Sequence, residues 1–173
     1  AFRAAAHGAR VALLEPHALG GTCVNLGCVP KKAMWLAADL ATKMTMAADL
    51  GFDVERPQLD WPTFITHRER YIANVHVSYR KRMDEAGIAL MPCRGHLEDA
   101  HTVRTSTGVR LRAGRVLIAT GARAQRPALP GAELGLVSDD FFDLRRAPQR
   151  VALVGGGYIG VELAGLLQAL GSH

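Results

Sequence analysis

Two closely spaced cysteines are the residues of this sequence best suited to do chemistry. Four residues separate Cys23 from Cys28, and Gly20 and Gly21 precede the pair. A glycine-bearing turn can bring two such thiols together, so the pair could close a small disulfide loop. Near the N-terminus of a following helix a thiolate is favoured, and the pKa of the thiol falls. We therefore expect a redox pair whose Cα atoms lie about 4.4–6.8 Å apart.

Helical spacing also favours a cation beside this pair. Lys31 follows Cys28 by three residues, so on a helix the two side chains share a face. A zinc site is the alternative, because Cys23, Cys28, Cys93 and His96 would form a Cys3His set. The second half of that set has only one cysteine, which is a poor match to zinc spacing. We expect no metal site and a buried, inert Cys93.

A glycine fingerprint near the C-terminus predicts a nucleotide site. Gly155, Gly157 and Gly160 follow an apolar run at 150–154 and precede a helical pattern at 161–170. In a strand–turn–helix unit the first glycine permits the turn, the second lets the backbone approach a pyrophosphate, and the third lets helix and strand pack closely. The phosphates would lie at the helix N-terminus, where free N–H groups attract anions.

The N-terminus has the same arrangement of elements. Residues 1–7 read as the end of a helix, Gly8 as its C-terminal cap, and 11–15 as a buried parallel strand. Glu15 would then end the strand where an acid binds an adenosine ribose, or it is an ordinary exposed acid at a strand end. We expect an α/β fold with two Rossmann-like nucleotide-binding units, each incomplete in this sequence.

The rest of the pattern completes this organisation. We predict a loop at 20–30, helices at 30–50 and 61–86, short strands within 88–120 that end with one at 115–120, and a connector at 122–135. The expected domains are 1–121, with inserted helices, and 122–173.

Composition narrows the function classes. The chain has 173 residues and a net charge of +5, but its Lys and Arg residues are scattered and aromatic residues make up only 6%. These values give no reason to expect a nucleic-acid partner. No apolar run approaches the roughly 20 residues of a membrane span, and no signal peptide is visible. We expect a cytoplasmic protein.

Residues 20–32 resemble the redox-active segment of the pyridine nucleotide-disulfide oxidoreductases, and 29–32 are similar to that segment in glutathione or trypanothione reductases. The similarity covers nearly the whole chain, including 34–35, 70–79, 119–121, 138–142 and 157–164. Two positions depart from the glutathione reductase pattern. Phe2 stands where some of these enzymes have a polar, substrate-binding residue, and Gly160 stands where alanine is common.

The resemblance implies a flavoprotein disulfide reductase. Electrons would pass from NADPH, with NADH as the alternative, through FAD to the cysteine pair and on to a small disulfide, which we expect to be glutathione disulfide. A trypanothione-like reductase, or a nucleotide- or metal-binding module without a redox cycle, are the alternatives. The full-length protein is expected to be a homodimer, whose further domains would supply an acid–base histidine. This chain alone is therefore expected to be inactive.

The resemblance also implies residue roles. Cys28 would face the flavin, and Cys23 would attack the substrate disulfide. Tyr79 would contact bound glutathione, and Tyr158 would shield the flavin. Residues implied to line FAD are Glu15, Thr22, Cys23, Lys31, Gly95, His96, Thr120 and Gly121. Residues implied to hold the nicotinamide cofactor are Gly155, Gly156, Gly157, Tyr158, Ile159, Gly160 and Glu162.

One contact is expected from these placements. Glu162 follows Tyr158 by four residues, so both should lie on one helix face. If that face and Lys31 approach the same apolar ring, pairing their charges offsets the cost of desolvating them. We therefore predict an ion pair between Lys31 and Glu162 that joins the two domains and acts in catalysis.

Overall fold

The computed structural model describes residues 1–54 and 58–173. The chain divides into two compact units, one of Ala1–Gly21 with Ala73–Ala122, the other of Thr22–Ile72 with Arg123–His173.

The first unit is built on a short parallel sheet. Helix α1 (Phe2–Ala6) leads into strand β1 (Ala12–Leu14), which pairs in parallel with β2 (Ala89–Met91). Gly8, with φ of +80°, ends α1 as predicted, because glycine adopts this left-handed conformation without steric cost. The parallel pairing of the 11–15 segment is thus confirmed, but its burial is not. Ala12 is exposed and the two leucines are half-buried, since only one neighbouring strand covers β1.

A helix packs on this sheet, and a second sheet follows it. Helix α4 (Trp61–Glu85) confirms the prediction for 61–86, and its C-terminal part belongs to the first unit. An apolar cluster of Leu19, Met83 and Ile88 forms the core of this unit. After β2 come the short strands predicted within 88–120, which are β3 (Gly95–Leu97), β4 (Thr102–Thr105) and β5 (Arg110–Arg112). They form an antiparallel meander, an arrangement that was not predicted.

The second unit is mainly helical. It contains most of α2 (Gly21–Leu26), all of α3 (Cys28–Asp49), the first part of α4, the short α5 (Ser138–Phe141) and α6 (Tyr158–Ala169). A 3-10 turn, Ala132–Leu134, precedes α5. The core members come from α3, α4, α5 and α6 or their ends, and are Met34, Ala38, Trp61, Ile65, Phe141, Phe142, Leu163, Leu166 and Leu167.

The predicted loop at 20–30 is wrong, because the segment is helical. Helix α2 occupies most of it, and α3 starts two residues earlier than the expected residue 30. Its glycines lie at the ends of the helices rather than inside them. Gly20 and Gly21 have positive φ at the start of α2, and Gly27 is the N-cap of α3. Glycine content alone therefore misled the prediction, since a glycine can separate two helices as well as form a loop.

The strands predicted at 115–120 and 150–154 are also absent from the described part of the chain. Both segments form no regular secondary structure and are largely exposed, with Leu117 and Val154 each 85% exposed. A strand is defined by ladder hydrogen bonds, and these segments lack a neighbour that would supply a full ladder. Near residues 150–154 only two such hydrogen bonds are present among the described residues. Val151 donates to the His173 carbonyl at 2.8 Å, and the His173 N–H donates to Gln149 at 3.0 Å.

Each compact unit combines two separate stretches of the chain, whereas each predicted domain is one continuous stretch. The predicted boundary near residue 121 coincides with a break between the units at Ala122, but α3 and half of α4 group with the C-terminal segment. The domain division at 121 stays a prediction.

Candidate functional site

The two cysteines meet at the junction of two helices. Cys23 lies in the middle of α2 and Cys28 is the first residue of α3, so the turn at Gly27 brings them together. Both thiols are free and exposed. Their side chains share a hydrogen bond, and the Cys28 backbone also hydrogen-bonds the Cys23 sulfur. Contact between the two thiols is therefore established, while the Cα separation stays a prediction.

The surroundings raise the pKa of Cys23 above its usual value. The largest cause is the side-chain hydrogen bond with Cys28, followed by partial burial and by charge repulsion from Cys28. A hydrogen bond raises a pKa when it stabilises the protonated form, so the contact with Cys28 favours the protonated Cys23 thiol. The Cys28 N–H and the Lys31 ammonium act in the opposite direction and lower the pKa of Cys23.

The predicted ion pair is present. Lys31 in the first turn of α3 binds the carboxylate of Glu162 on α6, and the two side chains are 25% and 48% exposed. The same ammonium lies 5.9 Å from the centre of the Tyr158 ring, which is four residues before Glu162. Both ends of the pair lie in the second unit, so it joins α3 to α6 within one compact body.

A glycine between the helices lets the thiols approach. A Cβ atom at Gly27 would lie 2.8 Å from the Thr22 carbonyl oxygen and 3.3 Å from the Cys23 Cα. Both are backbone atoms of α2. Any larger residue at this position would force α2 away from the start of α3.

The glycine fingerprint forms an open turn before α6. Gly155 has φ of +114°, and a Cβ at Gly155, Gly156 or Gly157 would meet no atom of the described residues within 4 Å. At Gly160 a Cβ would lie 3.3 Å from the Gly155 carbonyl oxygen, which agrees with a close approach of helix and turn. Helix α6 begins at Tyr158 with Gly157 as its N-cap, and Ile159 lies in its first turn. An uncovered backbone turn at a helix N-terminus fits the pyrophosphate of a dinucleotide.

In the first unit, several predicted flavin residues lie at the ends of strands. Glu15 directly follows β1, and its carboxylate accepts the His17 N–H at 2.9 Å. Gly95 and His96 begin β3. A Cβ at Gly95 would lie 2.5 Å from Leu14 Cδ2, so this glycine lets β3 approach the end of β1. Leu14, which precedes Glu15, therefore lies against the start of β3.

The other predicted residues of this unit are placed less clearly. Thr120 and Gly121 lie in the exposed segment that forms no strand, where Gly121 has φ of +73°. Tyr79 is half-buried against the apolar core of the first unit, as is Phe2. The Arg82 guanidinium lies 4.8 Å from the centre of the Phe2 ring. A packing role accounts for Tyr79 as well as a substrate role does.

Two contacts were not predicted from the sequence. Arg68 is only 6% exposed, and its Nη2 donates to the Phe142 carbonyl at 2.7 Å, while burial lowers its pKa. The signal was present, since Arg68 continues the helical spacing of the buried residues Trp61 and Ile65. On α3, Lys32 Nζ lies 3.6 Å from the centre of the exposed Trp35 ring, which the three-residue spacing permits.

A metal site finds no support. Within residues 1–54 and 58–173 no three His, Cys, Asp or Glu side chains are grouped so that they could hold an ion. Cys93 is buried, as predicted. In the same part of the chain, no helix has the length and apolar character to cross a bilayer.

Comparisons with known proteins agree with this arrangement. A glutathione reductase from Yarrowia lipolytica is 42% identical over 186 residues, covering 100% of this chain and 40% of that protein. One from Nostoc sp. is 40% identical over 174 residues, covering 99% of this chain and 37% of that protein. This chain thus spans about two fifths of the length of these relatives.

A solved structure shows the same fold. The HOCl-induced flavoprotein disulfide reductase RclA from Escherichia coli superposes with a TM-score of 0.83 at 25% identity, covering 99% of this chain and 37% of that one. The family model described as pyridine nucleotide-disulphide oxidoreductase matches residues 1–173, the whole chain. With its thiol pair, glycine turn and α/β elements in the expected places, this chain belongs to that family.

Proposed function

We propose that this chain is the dithiol-bearing part of an FAD- and NADPH-dependent reductase of glutathione disulfide. The observation that carries the proposal is the group formed by Cys23, Cys28, Lys31, Tyr158 and Glu162. It combines two thiols in contact, a cation one turn beyond them, and the helix that follows the glycine turn. A structural role alone would not require exposed, hydrogen-bonded thiols beside a lysine.

Each residue has a distinct proposed part. Reduced Cys23 attacks one sulfur of the substrate disulfide, forming a mixed disulfide and releasing the first thiol. Cys28 then attacks the Cys23 sulfur, which releases the second thiol and leaves the Cys23–Cys28 disulfide. Bound FAD would supply the two electrons that reduce this disulfide again, drawn from NADPH. Lys31, oriented by Glu162, holds a positive charge near the Cys23 sulfur, which favours its thiolate form.

Glutathione disulfide is the proposed substrate because the relatives at about 40% identity are named glutathione reductases. Tyr79 is proposed to contact it. Phe2 leaves a second peptide disulfide, trypanothione, as the alternative to test. We further propose that the full-length protein is a cytoplasmic homodimer, as an enzyme of soluble thiol metabolism would be.

A chimera tests the proposal. This chain would replace the matching segment of the Yarrowia lipolytica reductase, and NADPH oxidation would be followed with glutathione disulfide or trypanothione disulfide. We expect a yellow protein that reduces glutathione disulfide. Flavin absorbance shows whether the chimera has assembled, so an assembled chimera that reduces neither disulfide contradicts the proposal.

Cysteine variants of the chimera provide the controls. Cys23→Ser and Cys28→Ser should each abolish turnover while flavin stays bound. Cys93→Ser changes a buried cysteine outside the thiol pair and should retain most of the activity. Loss of activity in all three variants to the same degree would show that the pair has no special role.

A further inference from the structure

Gly27 is needed for a different reason from the other glycines near the thiols. Gly20 and Gly21 have φ of +102° and +59°, so each is suited to its position by its backbone conformation. Gly27 has φ of −153°, outside the left-handed region. What excludes a side chain at Gly27 is space, because a Cβ there would lie 2.8 Å from the Thr22 carbonyl oxygen.

The atoms that crowd this position cannot move aside independently. The Thr22 carbonyl and the Cys23 Cα belong to the backbone of α2, so a methyl group at Gly27 must displace the helix that carries Cys23. The other side of the turn is equally fixed. The Gly27 carbonyl accepts the Lys31 N–H at 2.9 Å, which anchors residue 27 to the first turn of α3, where Cys28 lies.

Gly27 is therefore the point at which the positions of the two sulfurs are set. We infer that Gly27 is a positioning residue that fixes the Cys23–Cys28 geometry and so keeps the disulfide easy to form. Disulfide bonds tolerate little variation in geometry, and deviations store strain that makes the bond easier to reduce. A side chain at residue 27 would shift the thiol–disulfide equilibrium toward the dithiol. Gly27 has this role only if the pair is redox-active, as proposed above.

The equilibrium can be measured on the 173-residue chain without a flavin. The chain is equilibrated in buffers with different ratios of reduced to oxidised dithiothreitol. When the Cys23–Cys28 bond forms, the two protein thiols give two electrons and two protons to oxidised dithiothreitol, which is thereby reduced. Acid quenching, alkylation and peptide mass analysis then give the fraction of this disulfide. For Gly27→Ala we expect the equilibrium constant for disulfide formation to fall about tenfold or more, which is about 30 mV for a two-electron couple.

A second measurement separates positioning from general damage to the fold. The Cys28 N–H hydrogen-bonds the Cys23 sulfur across the Gly27 turn. In Gly27→Ala all contacts between Cys23 and Cys28 should weaken, and the largest of them, the side-chain hydrogen bond, raises the pKa of Cys23. The pH profile of Cys23 alkylation should therefore move to lower pH while the circular dichroism spectrum stays that of the wild type. If the alanine variant does not fold, a variant with one extra glycine after Gly27 separates the helices without adding a Cβ. The same fall in disulfide stability is expected for it.

Gly165→Ala is the matched control. Gly165 lies in α6 of the same unit, has no positive φ, and has no atom within 4 Å of its would-be Cβ. Its redox midpoint and alkylation profile should equal those of the wild type. A folded Gly27→Ala protein, or a folded insertion variant, with the wild-type midpoint overturns the role of Gly27. A wild-type chain that never forms the disulfide at any poise overturns the proposed function as well, so the two failures are distinguishable.

Discussion

Neighbouring groups shift the pKa of Cys23 in opposite directions. Contact with Cys28 raises the pKa of Cys23 through the side-chain hydrogen bond and charge repulsion, while the Cys28 N–H and Lys31 lower it. The larger effects are those that raise it, so Cys23 holds its proton more firmly than a free cysteine. A thiol in this state reacts more slowly at neutral pH, because the thiolate is the nucleophile.

Removing Cys28 should therefore activate Cys23. Cys28→Ala deletes the side-chain hydrogen bond and the charge repulsion but keeps the backbone N–H, so the pKa of Cys23 should fall. We expect alkylation of Cys23 by iodoacetamide at neutral pH to become several-fold faster, followed by site-resolved mass spectrometry. Cys93→Ala, which alters a buried cysteine, should leave the Cys23 rate unchanged. A slower reaction in Cys28→Ala would show that the sign assigned to the Cys28 contact is wrong.

Lys31 should act in the opposite direction. Its charge lowers the pKa of Cys23, so Lys31→Gln should raise that pKa and slow alkylation about twofold or more at neutral pH. Lys32→Gln removes the same charge one residue later, from an ammonium stacked on Trp35, and is the matched control. Equal slowing in both variants would point to net charge rather than to the position of Lys31. The rates are compared at low salt, where screening is weakest.

Among the elements, α3 and α6 determine whether the thiol-bearing turn is held in place. Met34 on α3 is fully buried in a core that includes Leu163, Leu166 and Leu167 of α6. Truncation to alanine removes buried methylene groups and leaves a cavity. We expect Met34→Ala to lower the free energy of unfolding by about 2–5 kcal/mol, measured by urea denaturation. On the same helix Met46 is 56% exposed, and Met46→Ala should change stability by less than about 0.5 kcal/mol.

The connection between α4 and the segment after α5 depends on a buried charge. Arg68 donates to the Phe142 carbonyl at 2.7 Å and lies over the Phe142 ring, but among the residues that the structure describes its Nε has no hydrogen-bond partner. Arg68→Met leaves that carbonyl without its charged donor, so we expect a loss of about 1.5–3 kcal/mol in urea denaturation. Arg145→Met, which breaks an exposed ion pair with Glu69, should cost at most about 1 kcal/mol. Equal losses would mean that the buried hydrogen bond adds nothing.

Helices were predicted well from the sequence, and their junctions were not. The spacing of apolar residues gave α4 within one residue, and it gave most of α3 and α6, because burial of one face repeats along a helix. The segment around Cys23 has no such repeat, and its glycines were taken for a loop. Only the Cβ distances at Gly27 show that these glycines let two helices approach. The Lys31–Glu162 pair was predicted from helical spacing together with the flavin placement that the family resemblance implies.

For the molecule as a whole, two segments predicted as parallel strands lack a neighbouring strand within the described residues. Residues 115–120 and 150–154 have the composition of buried strands, yet Ile118 is 68% exposed and Leu153 46%. Composition predicts what a segment can form, whereas a parallel strand forms only beside another strand. The strand predictions for these two segments are therefore wrong, because composition does not show whether a neighbouring strand is available.

Amide hydrogen exchange should distinguish residues 115–120, which have no strand partner among the described residues, from the paired strand β4. Within the described residues, no backbone hydrogen bond joins 115–120 to another segment, whereas β4 pairs with strands on both sides. We expect amides of 115–120 to exchange at least about 100-fold faster than those of β4, since protection follows the free energy of local opening. The Val151 amide, bonded to the His173 carbonyl, is an internal control and should exchange more slowly than its neighbours at 152–154. Equal protection in 115–120 and β4 would contradict the absence of a ladder.

The stack of Lys32 on Trp35 makes the two tryptophans of the chain optically distinct. Trp61 is 4% exposed, and its indole N–H donates to the Leu144 carbonyl, so its fluorescence should be blue-shifted and shielded from dissolved quenchers. Trp35 is 47% exposed beneath an ammonium group and should emit at longer wavelength and be readily quenched. It lies two turns beyond Cys28 on α3, on the same helix face. Its emission is therefore an intrinsic signal of events at the thiol-bearing end of the helix, read without any added dye.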